Sequence, residues 1–346
     1  MEASLSRRSF VAGTAAVAAA GILATPLVHT EAALASEAPV EELQCDILVC
    51  GLGASGVTAA VAAGREGAKV IAIETAPSLE GAGGSTHCTA PAMFGSKAQN
   101  DANPDVPVTE QEAFEYIYPL THYQENGALL REMIRRSAVV VDELVAAGMP
   151  FMFANTTVDA DAPFKNKVGC LYQVRGAERG AIWEQMMADA GVEVHYGTTA
   201  ESALVGDDGT MAGVRCATDD GYVDIYAAST ILCCGGFISN PEMVAQYYGG
   251  AKLLSCGMPA DKGDGTKIAL SLGAQMGKNF STSVNEFGGS NAKAAPQDAR
   301  GATAECNTAL RLQILGLPVF DTHGDRFMDE GIMNGHVMYS AEPLIR

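Results

Sequence analysis

Apolar and polar positions along this chain change their period several times, and each change marks an element. Ile47 to Cys50 is a short apolar run without polar alternation, the pattern of a parallel strand buried on both faces. Val57 to Arg65 is built from good helix formers, Gly64 and Gly67 stand around its expected end, and Val70 to Ile73 reads as a second buried strand. Helical spacing covers Glu112 to Tyr118 and Gly127 to Ala147; Leu130, Ile134, Val141, Leu144 and Val145 predict one apolar face, and Gly148 ends the second helix. Ala181 to Ala190 predicts a helix capped by Gly191, and Val192 to Tyr196 a strand. Alternation then recurs around Ala203 to Val205, Gly213 to Ala217 and Tyr222 to Tyr226. Asp207-Asp208-Gly209 and Asp219-Asp220-Gly221 separate these runs, which predicts an antiparallel meander. Thr230 to Phe237 reads as a further buried strand running into paired glycines, and Thr266 to Leu272 as a helix. The polar stretches Lys97 to Val108 and Thr156 to Lys167 read as surface loops.

The chemistry enters where the first strand should turn into the first helix. Gly51-Leu52-Gly53-Ala54-Ser55-Gly56 gives G-x-G-x-x-G there, in register with strand, helix and second strand. Gly51 permits the tight turn, Gly53 lets the backbone approach a pyrophosphate, and Gly56 lets the helix pack close to the strand. The free amides and positive dipole end of the helix face the phosphates. Glu74 follows the second strand, where a carboxylate accepts a ribose hydroxyl and repels a 2′-phosphate, which disfavours NADP. The pattern as a whole predicts a dinucleotide site.

Charge and composition bound the remaining readings. The 346 residues suffice for two domains, and 48% hydrophobic with 18% charged residues is a globular balance. Forty-one acids against 22 bases give a net charge of −19, which argues against nucleic acid or an anionic membrane surface as a partner. The nine cysteines form no C-x-x-C pair, so no metal site is predicted. Cys50, Cys233 and Cys234 read as buried small hydrophobes; an iron–sulfur site assembled from scattered cysteines is the alternative. At the N-terminus, Ser6-Arg7-Arg8-Ser9-Phe10-Val11, the weakly apolar Val11 to Val28 and Ala33-Leu34-Ala35 predict a twin-arginine signal over residues 1–35; an uncleaved anchor is the alternative. That predicts an exported, periplasmic or cell-surface protein.

Further along, Gly81-Ala82-Gly83-Gly84-Ser85-Thr86 is a second glycine-rich loop, whose N–H and hydroxyl groups suit a pyrophosphate. Gly235 and Gly236 end a core strand at the edge where open α/β sheets bind ligands. Asp264 stands at a helix start, as a cap or as a ligand contact. His87, His122 and His195 read as structural or surface residues.

Together these segments resemble the FAD-dependent flavoproteins of the fumarate reductase, urocanate reductase and ketosteroid dehydrogenase type. The resemblance rests on Gly51 to Gly56 with Glu74, Gly83-Gly84-Ser85-Thr86, Cys234-Gly235-Gly236-Phe237 before Asn240-Pro241-Glu242, Gly263-Asp264-Gly265, and Gly324 to Glu330, in the family's order. It implies an α/β fold: a Rossmann-like FAD-binding domain with an antiparallel meander over residues 44–279, and an incomplete α+β capping domain over residues 280–346. It implies FAD, with the pyrophosphate at Gly51, Gly53, Ala54, Ser55, Gly56, Gly84, Ser85 and Thr86, the ribose at Glu74, adenine-side backbone contacts near Ala200, and flavin-side contacts at Gly235, Gly236 and Asp264. It also implies hydride transfer from flavin to an activated C=C bond, with a cap arginine as proton donor.

That arginine is absent. Its position is Asn334, which cannot donate a proton, and the residues expected to clamp a dicarboxylate are not in register. A substrate other than fumarate is therefore expected, with His336 and Tyr339 as candidate acids beside Asn334. The chain stops where the family continues, so a partner chain supplying the carboxy-terminal segment is expected, together with an external electron donor such as a cytochrome or quinone-linked protein. The alternatives are a truncated flavin-binding remnant without catalysis, one half of a split enzyme, or an NAD oxidoreductase.

Overall fold

The computed structural model describes residues 38–79, 97–102, 107–120, 126–149, 151–155, 169–173, 177–247 and 260–277, with 104, 123, 318, 320 and 323–326 besides. It opens on β1 (Glu41–Cys50), α1 (Ala54–Arg65) and β2 (Val70–Glu74). Then come α2 (Lys97–Ala102), α3 (Glu110–Leu120), α4 (Gly127–Ala146), β3 (Phe151–Asn155), β4 (Gly169–Gln173) and α5 (Ala177–Asp189). After β5 (Glu193–Tyr196), the meander β6 (Thr199–Val205), β7 (Met211–Thr218) and β8 (Gly221–Leu232) leads to α6 (Pro241–Tyr247) and α7 (Asp264–Ser271).

The chain divides into two compact units. One holds the residues up to Ser78, Met187–Cys234 and Asp264–Gln275; the other holds Leu79–Met186, Gly235–Gly263 and the residues from Met276.

The first unit is a six-stranded mixed sheet in the order β5-β2-β1-β8-β7-β6. β1 lies between β2 and β8 and is parallel to both, and β5 extends the parallel part beside β2. β7 and β6 continue antiparallel from β8. Every residue of β2 is buried, as its unbroken apolar run requires. Leu48, Cys50, Ile71, Ile73, Val214, Cys216, Ile225 and Ile268 share one core. Across β7 and β8 the buried Arg215 makes two 2.7 Å bonds to Asp224. This paired carboxylate raises the guanidinium further above its ordinary range.

The second unit contains α3 and α4, packed through Val108, Ala113, Leu130 and Ile134, and the antiparallel pair β3–β4. Asn126 caps α4, accepting from Ala128 N and Leu129 N.

Several sequence expectations need correction. Tyr222 to Tyr226 and Thr230 to Phe237 are not two strands: β8 is one strand of 12 residues, because it pairs with β1 from Val223 to Leu232. The predicted loop from Lys97 begins instead with a helix, α2. Asp142 of α4 caps it, accepting from Lys97 N at 2.9 Å and Ala98 N at 2.8 Å, a cap 44 residues away in sequence. Val145, assigned to the apolar face of α4, is 40% exposed, while Leu130, Ile134, Val141 and Leu144 are buried as expected. Helix α5 starts at Ala177, four residues before the sequence suggests, and runs through Gly180. Residues 1–35, Gly84, Ser85, Thr86, Asn334, His336 and Tyr339 lie outside the described residues.

Candidate functional site

The site grows from the turn between β1 and α1. Gly51 has φ +94°, and a Cβ there would stand 2.6 Å from the Cys233 carbonyl oxygen. Its amide donates to Ile73 O at 2.8 Å, and Cys233 N donates to Cys50 O at 2.7 Å. The turn is thus wedged between the carboxyl ends of β2 and β8, where only glycine fits. Gly56 is held still closer: its Cβ would lie 1.8 Å from Gly51 O. The close approach that Gly56 permits is therefore mainly to the backbone of the turn itself, with the Cys233 side chain next at 3.4 Å.

Helix α1 starts behind Gly53, whose extended backbone supplies no side-chain cap. A helix start of this kind, on a glycine turn at the carboxyl edge of a parallel sheet, presents its dipole to an anion. Thr58 Oγ1 turns back to Ala54 O at 2.8 Å. The Ser55 hydroxyl bonds the Cys233 thiol, which burial holds above its ordinary acid constant.

Glu74 closes the other side. Its carboxylate is 7% exposed and accepts from Leu52 N at 2.7 Å and from Ala76 N at 2.9 Å. The β2 acid and the glycine turn are therefore one hydrogen-bonded object. Each carboxylate oxygen keeps a further lone pair for a hydroxyl donor. Thr198 N donates to Glu74 O and Gly197 N to Ala76 O, which brings the start of β6 to the same edge. There Thr75 and Thr199 share a 2.6 Å hydroxyl bond, and Ala200 is buried in the core beside a bulge in the β6–β7 ladder.

Asp264 is the first residue of α7, ion-paired with Lys267 at 2.7 Å. Near it, Gly265 packs against Cys234, whose Sγ donates to Cys50 O at 3.4 Å. Burial pushes the Cys234 and Cys216 thiols up to about 12, so neither is a ready nucleophile. Among the described residues no group of three or more His, Cys, Asp or Glu is placed to hold a metal.

Gly235 and Gly236 belong to the second unit. Gly235 has φ +79° and faces Asp261, a buried acid that sequence reasoning passed over. Its only sequence signal is its place three residues before Asp264.

Residues 46–286, more than half of the chain, match the family model described as FAD binding domain. A vinyl phenol reductase of Lactiplantibacillus plantarum is 26% identical over 301 residues, covering 83% of this chain and 57% of that protein. A fumarate reductase (cytochrome) of Shewanella frigidimarina is 28% identical over 260 residues, covering 73% and 44%. The open conformation of a flavocytochrome c3 fumarate reductase superimposes with a TM-score of 0.58 at 23% identity, over 72% of this chain and 43% of that one. The chain spans about half the length of the curated relatives it matches. It belongs to the FAD-binding-domain family, and its cofactor is FAD. The residues present fit that group: a glycine cradle that a Cβ would fill, an uncapped helix start, and a buried carboxylate with acceptor capacity to spare.

Proposed function

We propose that this protein is an exported FAD-dependent oxidoreductase acting on an activated C=C bond of a small organic substrate other than fumarate. The observation that carries the flavin part is the buried Glu74 carboxylate, bonded to the Leu52 amide of the glycine turn. In this reading Gly51, Gly53, Ala54, Ser55 and Gly56 bind the pyrophosphate with Gly84, Ser85 and Thr86, and the dipole of α1 offsets its charge. Glu74 orients the ribose, the backbone near Ala200 receives the adenine side, and Gly235, Gly236 and Asp264 line the flavin side.

When bound, FAD supplies hydride chemistry at an electron-poor carbon. The substrate class is supported by the relatives named vinyl phenol reductase and fumarate reductase, since both named substrates carry a C=C bond. The proton for the second carbon needs an acid of this chain. Asn334 donates hydrogen bonds but holds no transferable proton, so His336 or Tyr339 takes that role. An asparagine where the resemblance places an arginine also lacks the charge that would fix a dicarboxylate. Arg7 and Arg8 direct export by the twin-arginine route, to the periplasm or cell surface, and an external cytochrome or quinone-linked protein exchanges electrons.

The test is direct. The purified chain is incubated with FAD, freed of unbound cofactor and assayed for oxidation of a reduced viologen dye with acrylate, cinnamate, 4-vinylphenol and fumarate. Retained flavin absorbance with turnover on an acceptor other than fumarate is the expected result. Colourless protein would overturn the flavin reading. Flavin-loaded protein inert on every acceptor would favour a second reading, a flavin-binding chain without catalysis of its own, for which Asn334 speaks.

A further inference from the structure

Cys233 meets the glycine turn at three of its positions, all within the first unit. Its carbonyl oxygen stands 2.6 Å from where a Cβ on Gly51 would be, while its amide donates to Cys50 O at 2.7 Å. Its own Cβ lies 3.4 Å from where a Cβ on Gly56 would be, so the bare backbone of Gly56 leaves the Cys233 side chain its room against α1. Its thiol bonds the hydroxyl of Ser55, the second residue of the same helix.

The neighbouring thiol faces the other way. Successive side chains at a strand end point to opposite faces of the sheet. Cys234 accordingly packs against Gly265 of α7 and donates to Cys50 O at 3.4 Å. Cys45, Cys50 and Cys216 are buried. Cys233 is half-buried and Ser55 is exposed, so their bonded pair has an open side. Gly53 gives α1 no side-chain cap there, and the first amides of the helix stay available to an anion. A serine hydroxyl carries one proton, on an oxygen that also accepts. A neighbour that donates to that oxygen leaves the proton for a second partner. The Cys233 thiol can donate, because burial raises its acid constant and keeps it protonated at neutral pH.

We propose that Cys233 is a positioning residue for the flavin pyrophosphate: its thiol donates to Ser55 Oγ and so directs the single hydroxyl proton of Ser55 at a phosphoryl oxygen. The proposal deepens the flavin reading above and rests on it. A hydroxyl that is already oriented loses less freedom when the anion arrives, and a donor aimed at a charged oxygen makes the stronger kind of bond. Cys233 thus joins the backbone fit of the turn at Gly51 to the side-chain chemistry of α1 at Ser55.

Calorimetric titration of FAD into the purified full chain tests it, on wild type, Cys233→Ala, Cys233→Ser, Ser55→Ala and the Cys233→Ala/Ser55→Ala double variant, with melting temperatures of the FAD-free proteins. Cys233→Ala is expected to bind FAD about threefold to tenfold more weakly, the weight of one hydrogen bond. Cys233→Ser keeps a donor at this place and is expected to retain wild-type affinity. In the Ser55→Ala background, Cys233→Ala is expected to change affinity by less than about twofold, because the hydroxyl it positions is gone. An equal loss in both backgrounds would overturn the proposal, assigning Cys233 to the packing of the turn. Unchanged affinity of Cys233→Ala would overturn it too, as would a fall in FAD-free melting temperature that accounts for the loss. If Cys233→Ala does not fold, Cys233→Val, which lacks the donor, takes its place under the same criteria. Wild type that binds no FAD would instead remove the flavin reading, and the proposal with it.

Discussion

The backbone amide of Leu52 donates to Glu74 Oε2 at 2.7 Å, across 22 positions of sequence. This bond ties the glycine turn to the end of β2. Because the carboxylate also accepts from Ala76 N, its removal strands two amides. Glu74→Ala is expected to destabilise the FAD-free protein by about 2–4 kcal/mol, since bonds to charged groups contribute roughly 1.5–3 kcal/mol each and are not fully additive. Glu74→Gln keeps one acceptor oxygen and turns an NH2 toward the other amide, so it should cost less but still weaken FAD binding. Urea melts with FAD titrations on both variants check the order.

Gly56→Ala puts a methyl carbon 1.8 Å from Gly51 O. No rotamer relieves a backbone clash, so α1 must shift away from the turn. The expected outcome is a loss of about 3 kcal/mol or more together with FAD binding. Gly67→Ala meets no atom within 4 Å but is strained by its φ of +85°. It should cost about 1 kcal/mol and leave FAD affinity intact. Equal effects of the two on affinity would contradict the geometry.

The Arg215–Asp224 pair is buried on both sides, at 9% and 5% side-chain exposure. Asp224→Asn leaves a guanidinium buried without its counter-charge and should cost about 3–5 kcal/mol. An Arg215→Leu/Asp224→Leu double variant should recover most of that loss. Chemical denaturation of the single and double variants gives the coupling.

Asp261 makes a prediction about pH. Its carboxyl is raised from an ordinary 3.8 to about 6 in the folded chain, so between these values the folded state binds more protons than the unfolded one. Stability of the FAD-free protein should therefore fall as pH rises from about 4 to about 6 and then level off. In Asp261→Asn that fall should vanish, which denaturation midpoints at pH 4 and pH 7 measure.

Local patterns were enough to expose the β1–α1–β2 unit, the meander and the family, because strand burial, turn glycines and the β2 acid are each written in consecutive residues. The sequence alone placed Gly51, Gly53 and Gly56 in the turn between β1 and α1 and Glu74 at the end of β2. Three features were decided only by the tertiary structure. Helix α2 exists because Asp142 reaches it from α4; a cap so distant leaves no local trace. β8 runs unbroken because β1 pairs with it from Val223 to Leu232, which overrides the polar residues in its middle. Asp261 looks like an ordinary surface acid in a polar loop, and only the folded chain buries it against the Gly235 backbone. Burial and long-range hydrogen bonds are properties of the folded chain, so they set the cost of a charge at a position that the residues around it in sequence do not reveal.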